Sequence, residues 1–292
     1  MRIGLLERED LAAAQVLLAE ACAFDSADIV AGEKLFGEGP SGAPTALAAW
    51  DGALVGVASV GGSRVRLLAV RPGQRGRGVG GALLAACEEW ARGAGVAKLR
   101  TLDQPGNYLA PGIDERNVDT IAWLERRGWV RDAEPRLNVL IDVRGNARVS
   151  RERAEAMAEA ARARGYELRR ARSDERGLLE AVRAEFGGAW PFEVARALEQ
   201  DSGVHVAIKD GAYCAFAAHD GNNRGLGWFG PTGTWPAHRG QRLGEALLMA
   251  CLVDVAAHHA QCEVAWIGPR AFYDKVAGVA VDRRFVLLTR AL

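Results

Sequence analysis

The chain has 292 residues, 49% hydrophobic and 25% charged, with 37 basic residues balanced by 37 acidic ones. That length suits two domains of about 150 residues each, and a formally neutral chain sets up no global field to draw nucleic acid or an anionic membrane. The five cysteines, Cys22, Cys87, Cys214, Cys251 and Cys262, are odd in number and form no CxxC pair; this argues against a disulfide framework or a structural zinc site and for a reducing compartment.

The first ten residues meet charge too early for a secretory signal. No apolar run approaches the roughly 20 residues a membrane span needs. The expectation is a cytoplasmic protein, a monomer or homodimer, with no metal, nucleic-acid or membrane partner.

In chain order, residues 2–6 read as a strand and 8–22 and 27–36 as helices. Apolar runs at 45–50 and 53–59 are split by Asp51-Gly52, a strong hairpin signal. A strand at 63–71 leads into a glycine-rich turn, then an amphipathic helix over 78–92 with Val79, Leu83, Ala86 and Trp90 on one face. A strand at 97–102, a Pro/Gly-rich loop at 103–116, a helix at 117–127 and strands at 129–131 and 136–143 complete this half. An Ala/Arg/Glu-rich stretch, 149–164, reads as a linking helix. The order then repeats: strand 165–171, helices 174–186 and 191–200, and a hairpin of 203–209 and 212–219 turned by Asp210-Gly211. Strand 225–234, helix 242–258, strand 262–267, helix 269–276 and strands within 281–290 follow. The domain boundaries expected are 1–145 and 165–292, with 146–164 between them, and the interleaving indicates an α/β fold with mixed sheets.

An internal repeat supports two duplicated domains. Residues 70–87, VRPGQRGRGVGGALLAAC, align without gaps at an offset of 164 with 234–251, TWPAHRGQRLGEALLMAC, and nine of the eighteen positions are identical. The run Arg75-Gly76-Arg77-Gly78-Val79-Gly80 joins a strand to a helix. Glycines there expose consecutive N–H groups, which with the helix dipole make a pyrophosphate site; Arg75 and Arg77 add charged donors. No Gly-Lys-Ser/Thr ending marks a P-loop, and GxGxxG fits only out of register with no early βαβ unit around it.

Val-Arg-Pro followed by Arg-Gly-x-Gly-x-Gly and an Ala-Leu-Leu helix resembles the acetyl-CoA loop of the GNAT superfamily. Residues 117–129 (NVDTIAWLERRGW) and 272–278 (FYDKVAG) resemble the family's later Asn-x-x-Ala-x-x-Phe-Tyr-x-Lys helix. The resemblance covers nearly the whole chain twice. It implies two tandem GNAT folds, each a mixed, mostly antiparallel twisted sheet flanked by helices. Acetyl-CoA is the implied co-substrate, held by Val70, Arg75, Gly76, Arg77, Gly78, Val79 and Gly80 in one copy. Arg239, Gly240, Gln241, Arg242, Leu243 and Gly244 stand at the matching positions of the other. The two-domain layout also resembles mycothiol synthase and tandem members related to amino sugars.

The copies depart from the pattern in opposite ways: Leu124 stands at the tyrosine position of the first, and Arg242 replaces the central glycine of the second. The implied chemistry is acetyl transfer to a small-molecule amine by direct attack, with a backbone N–H on the strand before the loop stabilising the oxyanion. Tyr273 is the implied general acid toward the departing thiolate. Glu263 is the candidate base, beside His219 and Asp220 at a strand end. Cys87 and Cys251 read as small core residues, His258 and His259 as helix-end cations, and Trp228 and Phe229 as strand packing. The loop 105–113 reads either as an irregular excursion or as a lid carrying Tyr108. The alternative to an enzyme is a non-catalytic acyl-CoA-binding protein built from degenerate GNAT domains.

Overall fold

The computed structural model describes residues 1–199 and 203–292. The chain forms two compact units, Met1–Arg136 with Arg284–Leu292, and Leu137–Arg283. The first begins with β1 (Arg2–Leu5), α1 (Leu11–Ala21) and α2 (Ala31–Phe36), then the antiparallel strands β2 (Thr45–Asp51), β3 (Ala53–Gly61) and β4 (Arg64–Val70). After the glycine turn come α3 (Val79–Gly93), β5 (Lys98–Thr101), the short β6 (Ile113–Asp114), α4 (Val118–Glu125) and β7 (Val130–Arg131).

The second unit is entered through β8 (Arg136–Asp142) and α5 (Arg151–Arg162), then β9 (Glu167–Arg170), α6 (Arg176–Glu185) and α7 (Trp190–Leu198). Residue 200, the end of the expected helix 191–200, lies outside the described residues. The unit continues with β10 (Val204–Lys209), β11 (Ala212–His219), β12 (Trp228–Thr234), α8 (Leu243–His258), β13 (Gln261–Val264) and α9 (Arg270–Ala277). The chain returns to the first unit along β14 (Val281–Val286) and ends in β15 (Leu288–Ala291).

The first unit's main sheet has the order β1-β2-β3-β4-β5-β15-β7. Its ladders are antiparallel except β4–β5. The second repeats this plan as β9-β10-β11-β12-β13-β8, again with one parallel pair, β12–β13. Helix α3 buries Val79, Leu83, Leu84, Cys87 and Ala91, spaced for one face, against the first sheet. Its counterpart α8 is apolar nearly all round, because the sheet covers one side and α5 another.

The boundaries read from the sequence, 1–145 and 165–292, differ from this division in two respects. Strand β8 pairs with β13 of the second unit, and β15 fills the matching slot beside β5 of the first. Each final strand therefore completes the other copy's sheet. The expected linking helix within 146–164 is α5, and it is a layer of the second unit, with Ala161 fully buried in its core. The reason is physical: strand periodicity states which face is buried, whereas backbone pairing leaves the partner open.

Candidate active site

The duplicated loop folds the same way twice. After β4 a single helical turn, Pro72–Gln74, leads to Gly76 at φ +75° and Gly78 at φ +87°, directly before α3. After β12 the turn Pro236–His238 leads to Gly240 at φ +77° and Arg242 at φ +58°, directly before α8. The N–H groups of the first turn of each helix have no intrahelical partner and face outward from the strand-to-helix junction. These are long helices, so each dipole's positive end is fully developed there.

The arginine shared by both copies fastens the loop to its strand. Arg75 Nε donates to Val70 O at 3.3 Å, and Arg239 Nε donates to Thr234 O at the same distance. Arg75 Nη2 also donates to Ala21 O at 2.9 Å, so Arg75 shapes the loop more than it reaches outward. Arg77 is exposed and donates to Gln74 Oε1 at 2.8 Å. In the second copy Arg242 holds the left-handed conformation that its counterpart Gly78 adopts without a Cβ clash, at a cost of about 1–2 kcal/mol. Its guanidinium turns to Glu245 (3.0 and 2.8 Å), whose other oxygen accepts from Lys275 Nζ at 2.9 Å. Burial would raise the Glu245 pKa, but these two cations outweigh it and lower the value. The two loops thus share a backbone and differ in charge, since Gly81 stands where the second has Glu245.

Each parallel strand pair opens into a V beside its loop. β4 and β5 pair only at Arg64–Arg100 and Val65–Thr101, while β4 continues to Val70. β12 and β13 pair only at Trp228–Glu263 and Phe229–Val264, while β12 continues to Thr234. The N–H of Arg71 bonds Val55 O and that of Trp235 bonds Cys214 O, so both turn toward the inner neighbour strand. The preceding residues, Val70 and Thr234, therefore aim their N–H groups into the V, while their carbonyls accept from the loop arginines Arg75 and Arg239. Val70 was legible in the sequence. Thr234 was missed, although it stands at the repeat offset from Val70.

The later helices close one side of each V. A methyl placed on Gly80 would lie 3.6 Å from the Trp123 ring, and one on Gly244 would lie 3.7 Å from the Phe272 ring. Trp123 and Phe272 are thus equivalent, as are their neighbours Leu124 and Tyr273, both buried. Tyr273 packs edge-on to Phe229 and Phe272, with centroids 6.4 and 5.0 Å away. Burial, and to a lesser degree Cys262, pushes its pKa up to about 12, so the phenol keeps its proton at neutral pH. Among the described residues its hydroxyl has no hydrogen-bond partner.

The other candidates fall elsewhere. Cys262 lies beside Tyr273, so Glu263, the next residue of β13, projects from the opposite face. Glu263 is buried; Oε1 accepts from Asn138 Nδ2 at 2.7 Å, and Arg283 Nη1 bridges both oxygens at 2.9 and 2.8 Å. The structure does not bring it to the phenol. His219 ends β11 at the extremity away from the loop, bonded to Asp220 (2.9 Å) and Asp254 (3.4 Å). Asp254 is also held by His205 and Arg170, each at 2.6 Å. Cys87 and Cys251 are fully buried, and burial raises both thiols, Cys87 to about 12. Trp228 and Phe229 are buried packing residues, and His258 is exposed at its helix end. Among the described residues no group of three or more His, Cys, Asp or Glu is arranged to hold a metal, and no helix is long and apolar enough to cross a membrane.

A loop of free N–H groups beside parting parallel strands, built twice, defines the tandem GNAT architecture. Residues 16–129, within the first unit, match the acetyltransferase (GNAT) family. The second unit repeats the fold, and the chain has the two-domain fold of tandem GNAT proteins. No curated protein matches the chain by sequence. Among solved structures it is similar to a GCN5-related glucosamine N-acetyltransferase region of a fungal multi-domain GH3 β-N-acetylglucosaminidase. The TM-score is 0.77 and the identity 16%, over 99% of this chain and 38% of that one. It is similar to a tandem GNAT protein from the clavulanic acid biosynthesis pathway, with TM-score 0.67 and 20% identity over 99% and 98% of the two chains. A GCN5-related N-acetyltransferase from Sphaerobacter thermophilus follows at TM-score 0.64 and 18% identity, over 99% and 95%. At these identities the likeness is one of fold.

Proposed function

We propose that the chain moves an acetyl group from acetyl-CoA to a small-molecule amine by direct attack, and that the second unit is the transfer centre. The observation that carries this is the V of the second unit, with the Thr234 N–H on one side and a protonated Tyr273 packed against the other. Both loops fit a pyrophosphate through backbone N–H groups; the first adds Arg77, and the second adds Arg242 and Lys275 set against Glu245. The acetyl end then points down the V, where a strand N–H meets the carbonyl oxygen. The amine nitrogen bonds the carbonyl carbon as the carbon–sulfur bond breaks. The amine's proton leaves to water, and Tyr273 donates its own to the thiolate and recovers one from solvent. Glu263, with both oxygens engaged, anchors β13 through Asn138 and Arg283 in this scheme. The free cysteines suit the cytoplasm.

Glu245 in the second loop and Leu124 in the first favour one other reading, a protein that binds acyl-CoA without turnover. Release of CoA thiol from acetyl-CoA separates the two. A panel of amines headed by glucosamine, chosen because a structural neighbour is a glucosamine N-acetyltransferase region, is expected to contain at least one that drives release. Binding of acetyl-CoA with no amine-driven release across sugars, polyamines and amino acids would favour the binding protein.

A further inference from the structure

The V of the second unit has two arms. One is the run of β12 from Gly230 to Thr234, and the other is residues 265–267. The Ala265 N–H makes the last bond to β12, with Phe229 O at 3.4 Å, and the Ile267 N–H turns away to Leu137 O of β8 at 2.9 Å. Trp266 stands between them at φ +46°. In the first unit Leu102, at the same repeat offset of 164, has φ +60°. The backbone takes the same left-handed step in both copies, and neither copy fills it with glycine, the residue that adopts it without a Cβ clash. The two side chains differ in their surroundings: Leu102 packs on the first unit's apolar core, whereas the larger Trp266 is 40% exposed.

A bulky residue in the left-handed region is costly, and it persists where its surroundings fix it. The Trp266 N–H donates to Asn138 Oδ1 at 2.7 Å. Asn138 is fully buried, and its Nδ2 donates to Glu263 Oε1, also at 2.7 Å. Both Glu263 oxygens accept in turn from Arg283 Nη1. A chain of charge-assisted bonds from Arg283 through Glu263 to Asn138 thus ends on the backbone of one part-exposed tryptophan. Such a network is rigid. It holds a large aromatic side chain open to solvent on an arm of the cleft, where a core residue would be buried.

Aromatic side chains supply much of the apolar contact in small-ligand sites, and an indole offers a flat face to a ring of similar size. Carboxylates of this unit near the cleft are held by the protein's own groups, Glu263 by Asn138 and Arg283 and Glu245 by Arg242 and Lys275. Recognition of the acceptor beyond its amine then falls to stacking and to neutral hydrogen bonds. We infer that Trp266 is a specificity-determining residue for the acceptor, and that the acceptor is an amino sugar. A pyranose ring carries C–H bonds on a face that can lie on the indole, and hydroxyls at its rim that can bond the backbone of the two parted arms. The inference rests on the reading that the second unit passes acetyl to a small amine.

The probes are glucosamine and ethanolamine, an amine with a ring and one without. Calorimetry reads their binding to the full chain saturated with CoA, and thiol release from acetyl-CoA is followed with the same two amines. Glucosamine is expected to bind the parent more tightly than ethanolamine does. Trp266→Ala should weaken glucosamine about tenfold or more, the loss typical of a truncated aromatic anchor, and leave ethanolamine and CoA within about twofold. Trp266→Phe, which keeps a ring, should recover part of the loss. Trp266→Gly, which suits the left-handed step, serves should the alanine variant fail to fold. A folded Trp266→Ala or Trp266→Gly chain that binds glucosamine like the parent overturns the inference. So does a loss shared equally by both amines, which would make Trp266 a structural residue, and so does a parent chain that does not bind glucosamine. Glucosamine-driven thiol release that is indifferent to Trp266 overturns the inference and leaves acetyl transfer standing. Trp266-dependent glucosamine binding with no thiol release overturns the transfer reading and leaves the sugar platform standing.

Discussion

At the scale of single residues, the loop glycines and Glu263 make the sharpest claims. Gly78 sits at φ +87°, and a β-branched residue there is strained by about 1–2 kcal/mol before any ligand is considered. Gly80 has space for a methyl, but a larger side chain crowds Trp123 and Val70 at the mouth of the V. Gly78→Val and Gly80→Val are expected to abolish acetyl-CoA binding to the first unit, read by calorimetry as the loss of one site. Glu263→Gln is expected to keep the bond from Asn138 and lose the charge opposite Arg283. The thermal midpoint should fall by an amount equivalent to about 1.5–3 kcal/mol, the worth of a hydrogen bond to a charged group. The pH–rate profile should keep its shape; loss of an acidic limb would make Glu263 the base after all. The loop residues were legible because the glycine pattern is local. The binding of both Glu263 oxygens was not, because Asn138 is 125 residues away.

At the scale of elements, the ends of β9, β10 and β11 are clamped to α8 by one carboxylate. Asp254 of α8 accepts from Arg170, His205 and His219, and Asp220 takes the other ring nitrogen of His219. Burial alone would lower the His219 pKa, but the two carboxylates outweigh it and raise it above 6.5. A raised histidine contributes stability that is fully present below its unfolded value and is lost as pH rises through its folded value. The second unit's melting temperature should therefore fall as pH rises above about 6.5. His219→Gln should flatten that slope, and an unchanged slope would contradict the clamp. In the sequence His219 and Asp220 are only neighbours. Asp254 lies beyond β12 and the loop, three turns into α8, so the shared oxygen was not visible in it.

At the scale of the whole molecule, the exchange of final strands sets what can fold. A fragment ending near residue 148 lacks β15, which lies between β5 and β7 in the first sheet. A fragment starting there lacks β8, which borders β13. Each exposes the unpaired edge of an inner strand. Expressed separately, neither half is expected to give a cooperative melt, whereas co-expression restores the partners; two independently folded halves would contradict the exchange. The repeat, the element order and the duplicated loop were all readable from residue types. The exchange was not, since 136–143 and 284–290 carry interchangeable apolar alternation. The loop 105–113 stands out in the sequence, but its burial depends on Lys34, Arg66 and Asn107 meeting in space.

The central claim is that transfer belongs to the second unit and uses the Tyr273 proton. Tyr273→Phe keeps the packing against Phe229 and Phe272 and removes only the hydroxyl. The direct measurement is amine-driven thiol release by the parent, Tyr273→Phe and Leu124→Met chains under one set of conditions. Tyr273→Phe should lose about 10² to 10⁴ in turnover, the usual worth of a general acid, with acetyl-CoA affinity nearly unchanged. Leu124→Met, a volume-conserving change in the first unit, should stay near the parent rate. A Tyr273→Phe chain within about twofold of the parent, a difference far below what a general acid supplies, would remove the phenol from the mechanism and move the transfer centre to the first unit.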